Sequence, residues 1–253
     1  MDDETLALLV DLHKRQPRQG PGGAAETLRA IELAGLGKAD GRLRIADIGC
    51  GTGAATLDLA KALDADIKAV DFLPAFLKVL EERARAEGVA DRIETLAASM
   101  DDLPFAEAEF DVLWSEGAIY NIGFEAGIAA WRRFLKPGGV LVASEITWIT
   151  AARPAAIEDY WNAAYPEIAP ASAKIAHLEA AGYAPAGYFV LPEHCWLETY
   201  YGPLRAQLPA FIARHEGDAA AAEIAEGERT EIALYEANKA YYSYGVYVAR
   251  LPG

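Results

Sequence analysis

RIADIGCGTGAATLDLA, Arg44 to Ala60, decides the fold. Its first half is a short run of apolar residues bounded by glycine, the pattern of a buried strand; its second half places apolar residues at helical spacing. Between them Gly49, Gly51 and Gly53 make a turn from strand end to helix start. Such a turn aims the free amides and the positive dipole end of the helix at a ligand.

Working outward, the same alternation repeats. DIKAVDF (66–72) reads as a second strand, and PAFLKVLEERARAEG (74–88) as a helix opened by Pro74 and stopped at Gly88. RIETLAA, EFDVLWS and GGVLVASE give three more strands, with a helix FEAGIAAWRRFLK before the last. Strands alternating with helices imply a parallel sheet covered on both faces. Ahead of this core, ETLALLVDLHK carries apolar residues at 6, 9 and 10, with 8 and 12 beside them, and suits a short amphipathic helix. QPRQGPGG (16–23) then breaks it, and a second helix follows near AETLRAIELAG. After Glu145 the stretch ITWITAARPAAIEDYWNAAYPEIAP reads as an inserted, non-strand segment. Helix, strand and two long helical stretches follow before the terminal alternating strand YYSYGVYVARL. The expected division is 1–42 as N-terminal helices and a lid, 43–145 as the binding core, and 146–253 as acceptor-pocket insertions completing the same domain.

The 253 residues are 53% hydrophobic and 24% charged, the composition of a packed globular protein. Lys+Arg 23 against Asp+Glu 38 gives a net charge of −15, which repels phosphate backbones and anionic membranes at long range. Nucleic acid and membrane are therefore excluded as expected partners, and a cytoplasmic monomer or homodimer acting on a small molecule is expected. The start, MDDETLALLVDLHKRQ, has acids where a secretory signal needs basic residues. Two cysteines, Cys50 and Cys195, build no disulfide framework, and four scattered histidines lack metal-ligand spacing, so no metal is expected.

Spacing alone leaves the ligand of the glycine turn open. Gly49, Gly51 and Ala54 fit the dinucleotide pattern G-x-G-x-x-G/A, whereas Asp47, Gly49, Gly51 and Gly53 fit the D-x-G-x-G-x-G pattern of S-adenosylmethionine (SAM) enzymes. Asp71, the acid ending the second strand, serves a ribose in either case. The later blocks SMDDLPF (99–105), EFDVLWSEG (109–117) and FLKPGGVLVASE (134–145), in this order and spacing, resemble the class I SAM-dependent methyltransferases. With RQGPG (18–22) and WSEGAIYNIGF the chain also looks like a bacterial subgroup of the type 11 methyltransferases. The resemblance implies a Rossmann-like, mostly parallel seven-stranded sheet with helices on both faces and helical insertions. It also implies SAM as cofactor and S-adenosylhomocysteine (SAH) as product. By the same resemblance, Gly49, Cys50 and Gly51 run along the methionine part of SAM, and Asp47 positions its ammonium. Asp71 accepts from the ribose, and Phe72 packs on the adenine. Many relatives carry aspartate where this chain has Ser99, which leaves Met100 and Asp101 as substitutes on the adenine amine.

In a doubly wound sheet the ligand lies at the C-terminal strand edge. Ser115 and Glu116 leave the fourth strand there, facing the sulfonium, with Tyr120 and Asn121 following toward an acceptor. Methyl transfer to oxygen or nitrogen needs a proton acceptor within reach, for which Glu116, Glu145 and His194 are the candidates. A lone histidine is more often a structural hydrogen-bonder. Trp148, Tyr160, Trp161, Tyr165, Trp196, Tyr200 and Tyr201 cluster in the insertions, and two or three of them, Trp148 included, are expected to wall an apolar acceptor pocket. Arg18 is available to reach a carboxylate, and Arg18 to Gly22 to act as a lid. SEGA stands where enzymes that methylate the amino groups of DNA bases carry N-P-P-Y. A SAM-binding sensor without methyl transfer and an NAD-dependent oxidoreductase are the competing readings.

Overall fold

The computed structural model describes residues 2–38 and 41–253. Helices α1 (Asp3–His13) and α2 (Ala24–Ala34) precede the alternating core. The core runs β1 (Leu43–Ile48), α3 (Ala54–Ala62), β2 (Ala65–Asp71), α4 (Pro74–Ala86), β3 (Ile93–Ala97), β4 (Phe110–Ser115), α5 (Phe124–Trp131) and β5 (Leu135–Trp148). Then come α6 (Ala155–Ala164), the two-residue β6 (Ala169–Pro170), α7 (Ala171–Ala180), β7 (Ala184–Val190), α8 (Glu193–Trp196), α9 (Gly202–Arg214), α10 (Ala219–Asn238) and β8 (Tyr242–Arg250).

The main path of the sheet has the order β3-β2-β1-β4-β5-β8-β7, with β6 beside the end of β5. Strands β1 to β5 pair in parallel, and β8 runs antiparallel between β5 and β7. The expected mostly parallel, seven-stranded path is therefore present. Period-two alternation sends Trp114 to one face and Leu113 to the other. On the first face lie buried residues of α1 to α4, α9 and α10; on the second lie those of α5 and α7. Pro74 opens α4, where its missing N–H costs nothing, and Gly88 follows its end at φ +71°.

Three local expectations change. β5 does not stop at Glu145: Ile146, Thr147 and Trp148 pair with Tyr244, Ser243 and Tyr242 of β8. The boundary expected there falls inside a strand because the partner lies about a hundred residues downstream, where local pattern gives no warning. The helix from Phe124 ends at Trp131 and tightens into a 3-10 turn, Arg132–Phe134, before β5 begins. LETYYGPLRAQL is not one regular helix either, since Leu197–Tyr201 forms a π-helical turn ahead of α9. Among the described residues, no helix is long and apolar enough to cross a membrane.

Candidate active site

The glycine turn leaves β1 with Gly49, Gly51 and Gly53 at φ +76°, +57° and +87°, conformations that a side chain strains. A Cβ on Gly51 would also stand 2.5 Å from Gln19 Oε1. Asp71 organises the turn: its Oδ2 accepts from Gly51 N at 2.9 Å and its Oδ1 from Leu73 N at 2.9 Å. Burial raises its carboxyl above the usual range, against the pull of those two amides. Beside it opens a cavity of about 630 Å³ lined by Gly49, Gly51, Asp71, Phe72, Ser99, Met100 and Asp101. Phe72 is 66% exposed, an uncovered aromatic ring in a cavity wall, suited to a flat heterocycle. Leu6, Leu9 and Val10 of α1 close the cavity from above, while Leu8 and Leu12 carry the helix into the core. The apolar stripe visible in the sequence is thus split between a binding wall and packing.

A second, small cavity of about 50 Å³ joins the first at the glycine turn and is lined by Arg18, Asp47, Cys50 and Glu116. Arg18 and Glu116 form an ion pair with side chains 10% and 13% exposed. Glu116 Oε1 also accepts from Thr27 Oγ1 at 2.8 Å and from Trp114 Nε1 at 3.0 Å. Its carboxylate is therefore committed to donors from the N-terminal segment, α2 and β4. Asp47 is fully buried, bonded by Thr56 Oγ1 at 2.6 Å, and burial pushes its carboxyl up to about 7. Burial likewise raises the Cys50 thiol well above its ordinary value, against the thiolate form.

The segment QPRQGPGG is docked over this cavity. Gln19 Oε1 accepts from Thr52 N at 2.8 Å and Thr52 Oγ1 at 2.9 Å, and Arg83 donates to the carbonyls of Gln16 at 2.8 Å and Pro17 at 3.1 Å. Thr199 Oγ1 donates to Gly22 O at 2.5 Å.

A third cavity, about 270 Å³, is rich in aromatic rings. Tyr160, Trp161, Tyr165, Trp196, Tyr200 and Tyr201 line it, joined by Tyr120, Tyr242 and Tyr244. Six of the seven aromatic residues singled out in the sequence meet here, more than the two or three expected. Tyr242 and Tyr244 were legible only as part of an alternating strand, Gln19 only as part of the RQGPG segment, and nothing in the local sequence marked Thr27 or Glu231. Gln19 and Gly117 line all three cavities and so mark their junction. Gly117 sits at φ +65°, and a Cβ there would come 3.3 Å from Tyr244 Cε2.

Several expected site residues lie elsewhere. Glu145 is sealed inside the sheet, its Oε1 accepting from Lys174 Nζ at 3.1 Å, with the two side chains 0% and 1% exposed. Burial raises its carboxyl, but it lines none of the three cavities. His194 is on the outside of α8, pairing with Glu26 at 3.3 Å, because the helix turn after Pro192 carries it away from the strand edge. Ser115 is wholly buried with an unpartnered hydroxyl; the chain turns at Gly117, and Ser115 lines none of the three cavities. Trp148 packs edge-on to Tyr242 and under Arg153 at 4.1 Å, behind the ring-lined cavity. Asn121 lines the first cavity and not the third. Glu26, His194 and Cys195 bring one possible metal-ligand atom each to within 4.8 Å of one another, a grouping that sequence spacing did not reveal. Burial and the Glu26 carboxylate raise the Cys195 thiol far above its ordinary value.

Residues 45–139 match the family described as "Methyltransferase domain". A ubiquinone/menaquinone biosynthesis C-methyltransferase of Azotobacter vinelandii is 29% identical over 142 residues, 55% of each chain. The chain spans from a quarter to about half the length of the first curated relatives it matches. A SAM-dependent methyltransferase of Geobacter sulfurreducens, solved with SAH, superposes with a TM-score of 0.81 at 18% identity, covering 98% of each chain. The [4+2]-cyclase SpnF superposes at 0.76 with 22% identity, covering 98% of this chain and 92% of that one. Residues 45–139 are thus similar to the methyltransferase domain family, and the chain shares its fold with solved SAM-dependent methyltransferases.

Proposed function

We propose that the protein is a SAM-dependent methyltransferase acting on nitrogen or oxygen of a small molecule. The observation that carries this reading is the meeting of three differently built cavities at Gln19 and Gly117. The first offers an exposed ring at Phe72 and a carboxylate at Asp71, the complements of adenine and ribose. The second sets the cation of Arg18 beside the carboxyl groups of Glu116 and Asp47, which suits the zwitterionic end of an amino acid. Together they fit SAM by shape and charge, and NAD lacks a group for the second. When bound, SAM supplies a methyl on a positive sulfur.

What remains for the chain is placement. Displacement at a methyl carbon depends on holding the acceptor atom in line, so Gly117, which leaves room at the junction, and the ring-lined cavity do most of the positioning. Glu116 is assigned to hold the N-terminal segment and the amino-acid end, not to take a proton. Arg18 to Gly22 covers the junction and excludes water when the donor is bound. The same fold also carries a [4+2]-cyclase, so fold alone does not decide the chemistry.

Calorimetric titration with SAM, SAH and NAD, followed by label transfer from methyl-labelled SAM into pooled small metabolites, tests the reading. Micromolar SAM and SAH binding, no NAD binding and a labelled product are expected. SAH binding with no transfer to any nucleophile would favour a sensor, and a labelled carbon would exclude the nitrogen-or-oxygen assignment.

A further inference from the structure

The ring-lined cavity contains one carboxylate, Glu231 of α10. Tyr201 Oη donates to its Oε1 at 2.9 Å. Among the described residues, Oε2 has no hydrogen-bond partner, and no lysine, arginine or histidine pairs with Glu231 or lines the cavity. Glu231 is exposed, and part of that exposure is to the cavity it lines. The protein around it still raises its carboxyl, and neighbouring Glu228 adds to the rise.

The rings stand steeply to one another. Tyr160 and Trp161 meet at 86° with centroids 5.5 Å apart, and Trp161–Tyr242 and Trp196–Tyr244 each meet at 67° and 5.1 Å. Walls that turn through such corners form a box of aromatic surface, and aromatic faces attract cations. An anionic ligand entering it would meet Glu231 with no cationic side chain in the cavity wall, and a neutral one would cover the carboxylate without pairing it. The net charge of −15 adds a long-range pull on cations.

We propose that this cavity selects an acceptor bearing a positively charged amine on an apolar body, with Glu231 holding the ammonium and the tyrosine and tryptophan rings enclosing the rest. The inference rests on the methyl-donor reading of the other two cavities, and it concerns recognition, with the methylated atom lying at the Gly117 end.

Three probes sharing one skeleton and differing in charge test it: phenethylammonium, 2-phenylethanol and phenylacetate. Each is titrated into the SAH-saturated protein with tryptophan fluorescence as readout, since Trp161 and Trp196 line the cavity. Phenethylammonium is expected to bind about tenfold or more tighter than 2-phenylethanol, with phenylacetate weakest. Glu231→Gln should erase that preference while leaving 2-phenylethanol and SAH affinities within roughly twofold, a change no larger than ordinary surface substitutions give. Equal affinities, preference for phenylacetate, binding of none of the three, or a preference that survives in Glu231→Gln would overturn the inference while SAH binding keeps the donor site intact. Failure of SAH to bind would remove the donor reading first, and this one with it.

Discussion

Glu116→Gln separates two roles that the sequence leaves open. The substituted amide keeps one carbonyl oxygen, which still accepts from Thr27 Oγ1 and Trp114 Nε1. Its NH₂ replaces Oε2 and then faces Arg18, donor against donor. Arg18, only 10% exposed, is left a nearly buried cation without its partner. Breaking a buried pair from one side costs about 3 to 5 kcal/mol, and residual exposure brings the expectation to about 2 to 3 kcal/mol. For a chain of this size that lowers Tm by roughly 4 to 12 °C. Because Arg18 ties the QPRQGPGG segment to the core, the loss should also weaken SAH and open the segment. Thermal denaturation, SAH calorimetry and trypsin cleavage after the exposed Arg15 would be run on both proteins. Faster cleavage, lower Tm and at least about tenfold weaker SAH are expected, in line with the loss of a charge-assisted contact. Unchanged stability and SAH affinity with turnover lost by about 10²-fold would refute the reasoning and make Glu116 the proton acceptor.

Asp71→Ala removes both the proposed ribose partner and the acceptor of two backbone amides, and SAH calorimetry should show a loss of about 1 to 3 kcal/mol, roughly 5- to 150-fold; unchanged affinity would place the donor elsewhere. Asp47, pushed up to about 7 from 3.8, favours the folded protein fully below pH 3.8, and that contribution is lost as pH rises toward 7. An ammonium needs the ionised form, so SAH affinity should climb with pH up to about 7 and then level off, and Asp47→Asn should flatten the profile; a flat wild-type profile would contradict this. Lys174→Met strands the Glu145 carboxylate in the sheet and should cost about 3 to 5 kcal/mol by urea denaturation, most of it recovered in Lys174→Met with Glu145→Leu. A single variant as stable as wild type would show that the pair is dispensable.

The parallel core was legible because glycine turns and apolar runs are local signals, and Asp71, Phe72 and Gly51 come together in the wall of one cavity. What depends on distant pairing was not. Glu145 looks like a strand-end acid until β8 is known to continue beside it to Trp148 and Lys174 to cover it from α7. His194 carries the right chemistry, but a helical turn points it outward, and a sequence does not print that rotation. Glu231 lies in a long alanine- and glutamate-rich helix where each acid looks alike, and only the packing of α10 against the aromatic wall distinguishes it. Arg18 was read as a carboxylate binder, and the structure pairs it with a carboxylate of its own chain.

The most direct test is diffraction from crystals of the protein grown with SAH. The ribose hydroxyls should lie on Asp71, the adenine on Phe72, the amino-acid end between Arg18 and Asp47, and the sulfur at Gly117, open toward the ring-lined cavity. SAH density outside the first two cavities, or a sulfur facing away from the Tyr120 and Tyr244 side of Gly117, would contradict methyl transfer at this junction.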